Sequence, residues 1–409
     1  MGLDEGRARM LAGLAEASHM SAVEDLPALV EEHAAHAGLY DVLIYLADLQ
    51  QDVLRPLTGR GAGEEAEREK RELRIDGTLA GRAFQEVRVL SRLPSEEEPG
   101  RWWVPLLDGT ERLGVLRVSV RPVTDGKRAQ EDMRHLASMV ALLLVSKRSQ
   151  SDSYAQLVRT RPMNVAAEMQ WNLLPSLTFA NEEVVIGAAL EPAYALGGDA
   201  FDYALAGDCV HLAVFDAMGH DASAGLTSNL AVAACRNRRR QGAGLVEVSE
   251  GIEEVLIKEF GLGNRFATAI LANLDMRTGV FTWVNRGHHP PVVIRRGRWV
   301  ATLQCPPAHP MGLGLGLTVS LCREQLEPGD RVLLYTDGMT EARNRLGQEF
   351  GLERFVDFII RRSADGLPVP ETLRRLVRSV LEYHDGRLQD DATVLLVEWR
   401  GGAQGKLRL

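Results

Sequence analysis

At several points in this chain an apolar, strand-like run stops on an aspartate beside a glycine, and that placement constrains the fold more than any other feature. In YTDGMTEARN (335–344) the apolar residues 332–335 run straight into Thr336-Asp337-Gly338. LGGDAFDY sets Asp199 after two glycines, and HLAVFDAMGHD sets Asp216 before Ala217-Met218-Gly219. LQDDATVLLV sets Asp390 and Asp391 directly ahead of a last apolar run. Ionised carboxylates are rarely buried without a partner. Acids gathered at one end of a β-sandwich repel one another unless cations hold them, and oxygen donors without Cys or His companions select Mg2+ or Mn2+ over zinc. Taken singly, each acid reads better as a turn or helix N-cap residue; their joint occurrence with the glycines reverses that and favours a metal.

A chain of 409 residues exceeds one ordinary compact core, so two domains joined by a helical linker are expected. The reading divides it into an N-terminal helix (1–21), a small α/β domain (22–128), a helical linker (129–175), a strand-rich domain (176–400) and a tail (401–409). In the first domain, 26–39 has helical periodicity, 41–49 alternates like a strand, and 77–85 reads as a short helix. Residues 101–120 read as a hairpin turning at Asp108-Gly109. The charged stretch 61–72 reads as a loop. Met133, Leu136, Val140 and Leu143 recur at heptad-like spacing, continued by Lys147, Gln150, Tyr154 and Leu157. That is a seam with a polar centre, fitting either a coiled coil or a helix packed on its own domain.

Other features exclude more than they assign. The formal net charge is -9, and the one basic run, RNRRR at 236–240, fits a solvated helix face, so no nucleic-acid partner is expected. The first ten residues lack an apolar core, so no signal peptide is expected, and the longest apolar run is too short to span a membrane. Cys209, Cys235, Cys305 and Cys322 show no CxxC pairing, so structural zinc and disulfides are not expected and a reducing, cytoplasmic setting fits.

The segments AAEMQWNLLP, GGDAFDY, FDAMGHD, RFATAILANLD, NRGHHPPVVI, HPMGLG, LLYTDGMTEARN and DDATVLLV, in this order over about 163–400, resemble the bacterial PPM-type metal-dependent protein phosphatases, like the stage II sporulation protein E domain and the sigma-factor regulatory phosphatases. The resemblance implies an α-β-β-α sandwich of two antiparallel sheets, hence an α+β chain overall, and a centre of two Mn2+ or Mg2+ ions. It implies that Asp216 bridges both ions, that the Ala217 carbonyl touches one, that Asp337 and Asp390 bind the first, and that Asp199 reaches the second. Asp391 ranks below Asp390. His220 is a candidate to protonate the leaving group, whereas His288 and His289 occupy a turn that reads as structural. Ala217-Met218 replace Val-Ser, Asp221 stands where Gly is usual, and no arginine matches the phosphate-gripping one of eukaryotic relatives.

Residues 22–122 more loosely resemble a GAF domain, which implies an unnamed small ligand and a homodimer. The region has no Cys to hold a bilin, and Trp102 and Trp103 read as packing residues or as a pocket wall. The functional expectation is a serine/threonine phosphoprotein phosphatase acting on a STAS-domain anti-sigma-factor antagonist. A ligand-sensing scaffold without catalysis and a hydrolase of small phosphate esters remain alternatives.

Overall fold

The computed structural model describes residues 3–59, 71–92, 100–120, 126–195, 197–219, 221–384, 388 and 390–401. His220, most of the expected loop at 61–72 and nearly all of the tail lie outside them. The chain divides into two compact units, Met1–Arg161 and Pro162–Leu409.

The first unit is a six-stranded antiparallel sheet. Its helices are α1 (Leu3–Ser18), α2 (Leu26–Ala34), α3 (Leu79–Glu86), α4 (Gly126–Arg148) and α5 (Asp152–Val158). Its strands are β1 (Leu39–Ala47), β2 (Val53–Pro56), β3 (Leu73–Arg74), β4 (Leu90–Arg92), β5 (Arg101–Asp108) and β6 (Glu111–Val120), ordered β3-β2-β1-β6-β5-β4. The period-2 pattern of β1 separates two cores. Val42, Ile44 and Leu46 join the cluster that holds α1, α2 and α4, while Tyr45 and Ala47 join Phe84 of α3 on the other face. The β5–β6 turn falls where the sequence places it, with Asp108 paired to Glu111 and Gly109 at φ 57°. Trp102 and Trp103 pack against opposite cores, Trp103 edge-on to Tyr45.

The heptad-like seam does not form one long linker helix. The helix ends at Arg148 and restarts at Asp152, where the Ser151 hydroxyl accepts the N–H of Tyr154 as an N-cap. Met133, Leu136 and Val140 are fully buried inside the first unit, so this seam is a core face and is closed to a coiled coil. The Lys147 ammonium donates to the carbonyls of Ser18 and Ser21, tying α4 to the end of α1. The N-terminal helix likewise belongs to this core through Met10 and Leu14.

The second unit is a sandwich. Helices α6 (Val165–Leu173), α7 (Ala222–Arg240), α8 (Leu245–Phe260), α9 (Leu352–Ala364) and α10 (Val369–Tyr383) flank the sheets. One sheet has the order β15-β12-β11-β10-β9, built from β9 (Asp199–Ala206), β10 (Cys209–Ala217), β11 (Ala267–Asp275), β12 (Val280–Arg286) and β15 (Cys322–Gln325). The other has the order β14-β13-β16-β17-β8-β7, built from β7 (Thr178–Ala180), β8 (Val184–Glu191), β13 (Val292–Arg295), β14 (Arg298–Thr302), β16 (Arg331–Tyr335) and β17 (Ala392–Trp399). Phe201, Val214, Ile270, Phe281, Leu334 and Leu395 meet between the sheets. The outer faces pack on α7 and α8 at one side and on α9 and α10 at the other, which makes the α-β-β-α order.

Two expectations fail here. Cys305 and Cys322 form a disulfide with Cα atoms 5.8 Å apart, 17 residues apart in sequence. The chain folds back after β14 to bring them together, and no local motif announces that return. Cys209 and Cys235 remain free. The basic run at 236–240 is also more than a solvated face: Arg236 and Arg239 both pair with Asp202, whose side chain is 1% exposed. A buried carboxylate with two guanidinium partners is structural.

Replacing Leu136 by Ala should cost the first unit about 2–5 kcal/mol, whereas Leu142→Ala on the exposed side of the same helix should change stability by less than about 0.5 kcal/mol. Urea denaturation of the full chain followed at that unit's transition measures both; equal effects would contradict the burial of the seam.

Candidate metal centre

The sequence-predicted acids lie at one end of the sandwich because the strands that carry them all terminate there. Asp199 opens β9 and faces Asp216 near the end of β10 as a direct cross-strand pair. Asp337 begins a single 3-10 turn after β16, and Asp390 and Asp391 precede β17, the neighbour of β16. Like charges directly opposite on a ladder are destabilising, so this register needs compensation.

Part of the compensation comes from hydrogen bonds. The Thr336 hydroxyl donates to Asp199 at 2.6 Å and accepts the N–H of Thr393 at 2.9 Å. One Asp391 oxygen accepts the N–H groups of Gly197 and Asp199 at 2.7 and 3.1 Å. Asp391 thus clamps the Gly-Gly-Asp turn of one sheet from the edge of the other. Its buried carboxylate contrasts with that of Asp390, which is exposed and accepts the Asp391 N–H. Two glycines permit these approaches. A Cβ on Gly198 would stand 2.3 Å from the Ala217 carbonyl oxygen, and one on Gly338 would stand 2.0 Å from that of Asp391. The fully buried Gln170 of α6 donates its amide to the Asp199 carbonyl at 2.6 Å and lies 3.2 Å from that of Gly197.

Charge repulsion remains and shows in the proton affinities. Burial, then Asp337, Asp390 and Asp391, push the Asp216 carboxyl up to about 7, against a hydrogen bond from Thr268. Burial, opposed by the N–H groups of Asp199 and Gly197, and the charge of Asp390 leave Asp391 at about 6. Burial, Asp391 and Asp216 hold Asp199 well above the ordinary carboxylate range. Desolvation and like charges both penalise the ionised form.

The donors of the predicted acids do not yet make one coordination sphere, since no three of them lie within 4.8 Å of one another. Their chemistry nevertheless fits a hard divalent cation: the side-chain donors are all carboxylates, and a cation between them relieves their mutual repulsion. Asp216, the Ala217 carbonyl, Asp337 and Asp390 are the groups that could hold such an ion, and Asp199 is more deeply buried.

The histidines divide by burial. Buried His288 makes a 2.7 Å hydrogen bond through Nδ1 to the Thr268 hydroxyl and a 3.0 Å one through Nε2 to the Tyr335 carbonyl. Burial and the neighbouring His289 lower it to about 3, so it is a neutral strut. An Nε2–H given to the carbonyl leaves Nδ1 as acceptor, and the single Thr268 proton then serves either His288 or Asp216, not both. His289 is exposed.

Sequence reasoning missed several supporting groups. Thr336 directly precedes Asp337, and a hydroxyl at a strand end is a readable donor. Thr268 is the cross-strand partner of Asp216, which no local pattern reveals. Asp221 is the N-cap of α7, accepting the Ala224 N–H at 2.8 Å, and Arg265 lies 3.6 Å away. Its charge is therefore engaged by a helix end and a cation. Arg265 also donates to the Met218 carbonyl at 3.3 Å, beside the loop that follows Asp216.

Residues 206–400 match the family model for stage II sporulation protein E (SpoIIE). The phosphoserine phosphatase RsbU of Bacillus subtilis (strain 168) is 25% identical over 242 residues, which are 58% of this chain and 69% of that protein. Protein IcfG of Synechocystis sp. is 24% identical over 262 residues, 56% of this chain but only 40% of the relative. The solved RsbU and RsbW domains of Rv1364c from Mycobacterium tuberculosis are 25% identical, with 56% of this chain and 64% of that chain covered and a TM-score of 0.47. Among the described residues no helix is long and apolar enough to cross a membrane.

The folded Asp216 keeps a proton between its ordinary value of 3.8 and about 7, where the unfolded chain has lost it. The folded state thus binds more protons in that window, and stability of the metal-free protein falls as pH rises through it. Thermal unfolding should show a lower Tm at about pH 7.5 than at about pH 5.5, and Asp216→Asn should flatten the dependence, with roughly 2–4 °C gained per kcal/mol of repulsion removed. A Tm that rises with pH over this range would contradict the reading.

Proposed function

We propose that this chain, whose residues 206–400 are a SpoIIE-type, PP2C-class phosphatase domain, is a metal-dependent serine/threonine protein phosphatase working through two Mn2+ or Mg2+ ions. The observation that carries the reading is that Asp199, Asp216, Asp337 and Asp390 lie at one sandwich end, where burial and then neighbouring carboxylates raise the proton affinities of Asp199 and Asp216. Bound among these acids, divalent cations would supply Lewis acidity and hydroxide at neutral pH. The chain's own groups do the rest. Asp216, Asp337 and Asp390 would hold the ions together with Asp199, and Thr336 and Asp391 keep Asp199 in register. In-line attack by water on phosphorus needs no side-chain nucleophile, which suits a site without a placed cysteine.

The relatives support a substrate class. RsbU is a phosphoserine phosphatase, which supports a phosphoserine or phosphothreonine protein, here a STAS-domain anti-sigma-factor antagonist. The first unit serves as a GAF-like sensor of a small ligand, and the cytoplasm is the setting. Gln170 supports control through α6, because any shift of that helix moves the Asp199 backbone it holds.

With Mn2+ or Mg2+ the purified chain should hydrolyse both an aryl phosphate and a phosphoserine protein. EDTA should abolish the activity, and Asp337→Asn should lower kcat at least about a hundredfold. Steady-state kinetics check this; metal-independent hydrolysis, or an Asp337→Asn variant as fast as the parent, would overturn the reading. A kcat/KM no higher for the phosphoprotein than for the aryl ester would instead favour a hydrolase of small esters.

A further inference from the structure

Three backbone segments run side by side past the end of the five-stranded sheet where Asp216 lies. Ala217, the last residue of β10, pairs with Ala267 of β11, and Ala267 in turn pairs with Met311. The alignment continues into the loops. The Met218 N–H donates to the Phe266 carbonyl at 3.0 Å, and the Gly263 N–H donates to the Gly312 carbonyl at 2.9 Å. Each segment turns a large apolar side chain to solvent: Met218 is 37% exposed, Leu262 65% and Leu315 62%. The second and third segments are in close approach, since a Cβ on Gly314 would stand 2.2 Å from the Leu262 Cδ1.

The exposure of the third segment is set by its backbone. In GLGLGL (312–317) glycine alternates with leucine, and Gly312, Gly314 and Gly316 have φ of 106°, 65° and 66°. Only glycine adopts that path readily, and it leaves Leu315 and Leu317 standing in solvent. The run is nevertheless anchored on both sides. Met311 is fully buried, the Gly314 N–H donates to Glu253 of α8 at 2.9 Å, and Val319 packs on the core under α8. Surface loops are ordinarily polar, and adjoining exposed apolar side chains mark an interaction surface.

Arg265 belongs to the middle segment. Its guanidinium donates to the Met218 carbonyl at 3.3 Å. Its ion pair with Asp221 is 3.6 Å long, and the Asp221 side chain is 62% exposed. A pair this open is weak, which leaves the cation able to serve an incoming anion.

We propose that Met218, Leu262, Leu315 and Leu317 dock the segment of a phosphoprotein that carries the phosphoserine, with aliphatic residues flanking it. This docking rests on the phosphatase reading and names the kind of sequence that site prefers. Two observations choose the occupant. The patch is continuous with the acid cluster, because Met218 lies two residues beyond Asp216 on the same chain segment. Arg265 also gives the patch a positive centre, which suits a segment that is both apolar and negatively charged.

Two phosphoserine peptides of equal length and charge test the surface on the full chain with Mn2+. One has leucines on both sides of the phosphoserine and the other glycines, and an aryl phosphate reports the chemistry alone. The parent should favour the leucine peptide at least about tenfold in kcat/KM, the difference that burying one leucine side chain makes. Leu262→Asp and Leu315→Asp should erase that preference by raising KM for the leucine peptide. Both positions are exposed, so neither change should unfold the chain. Arg265→Ala should raise KM for both peptides, and Arg265→Lys should restore part of it. A parent that hydrolyses the aryl ester but treats the peptides alike overturns the docking surface and leaves the phosphatase. A preference that survives both aspartate variants also overturns it. So does an aspartate variant that changes only the oligomeric state, which would make the patch a contact between two copies. A parent that hydrolyses none of the three compounds overturns the phosphatase reading and the docking together.

Discussion

Two aspartates facing each other across a strand pair set the terms for the second unit. Asp199 and Asp216 are direct partners on β9 and β10, and Asp337, Asp390 and Asp391 add negative charge from the second sheet. In water such a register would be avoided. Here the proton affinities rise until part of the charge is neutralised, and the structure spends its local interactions on keeping the acids in place. A divalent cation is the natural substitute for those protons, because it balances the charge without displacing the carboxylates.

The support is built from long-range contacts. Asp391 reaches the Gly197 N–H across 194 positions of sequence, and Thr336 reaches Asp199 across 137. Both bonds join the two sheets at the end where the strands stop. Gly198 and Gly338 let backbone meet backbone there, and neither position accepts a side chain. Further out, Gln170 holds the same turn from α6, and His288 ties Thr268 to the end of β16. A site positioned from both sheets and a helix is rigid enough to keep like charges close.

Much of this was legible because it is written locally. An apolar run ending in Asp-Gly needs only a few residues to recognise, and so do the Asp108-Gly109 turn and the α3 helix after its Thr78 cap. What was not legible depends on where a segment lands. The periodicity of Met133, Leu136 and Val140 marks a buried face but not its partner, which is the core of the same unit. Asp202 gives no sign in sequence that Arg236 and Arg239 will close on it, and Cys305 gives none that Cys322 will return to it. Asp221 was readable as an N-cap before a long helical segment.

The central claim is that cations replace protons on the acid cluster. Calorimetric titration of the metal-free chain with Mn2+ at about pH 6.5, repeated in buffers of different ionisation enthalpy, counts the protons released. With Asp216 at about 7, Asp391 at about 6 and Asp199 held well above the ordinary carboxylate range in the metal-free state, binding should release at least about one proton per chain, and release should fall as pH rises and the acids ionise on their own. Binding of Mn2+ with no proton released at the lower pH would contradict the claim, because the acids would then be ionised and apart before any metal arrived.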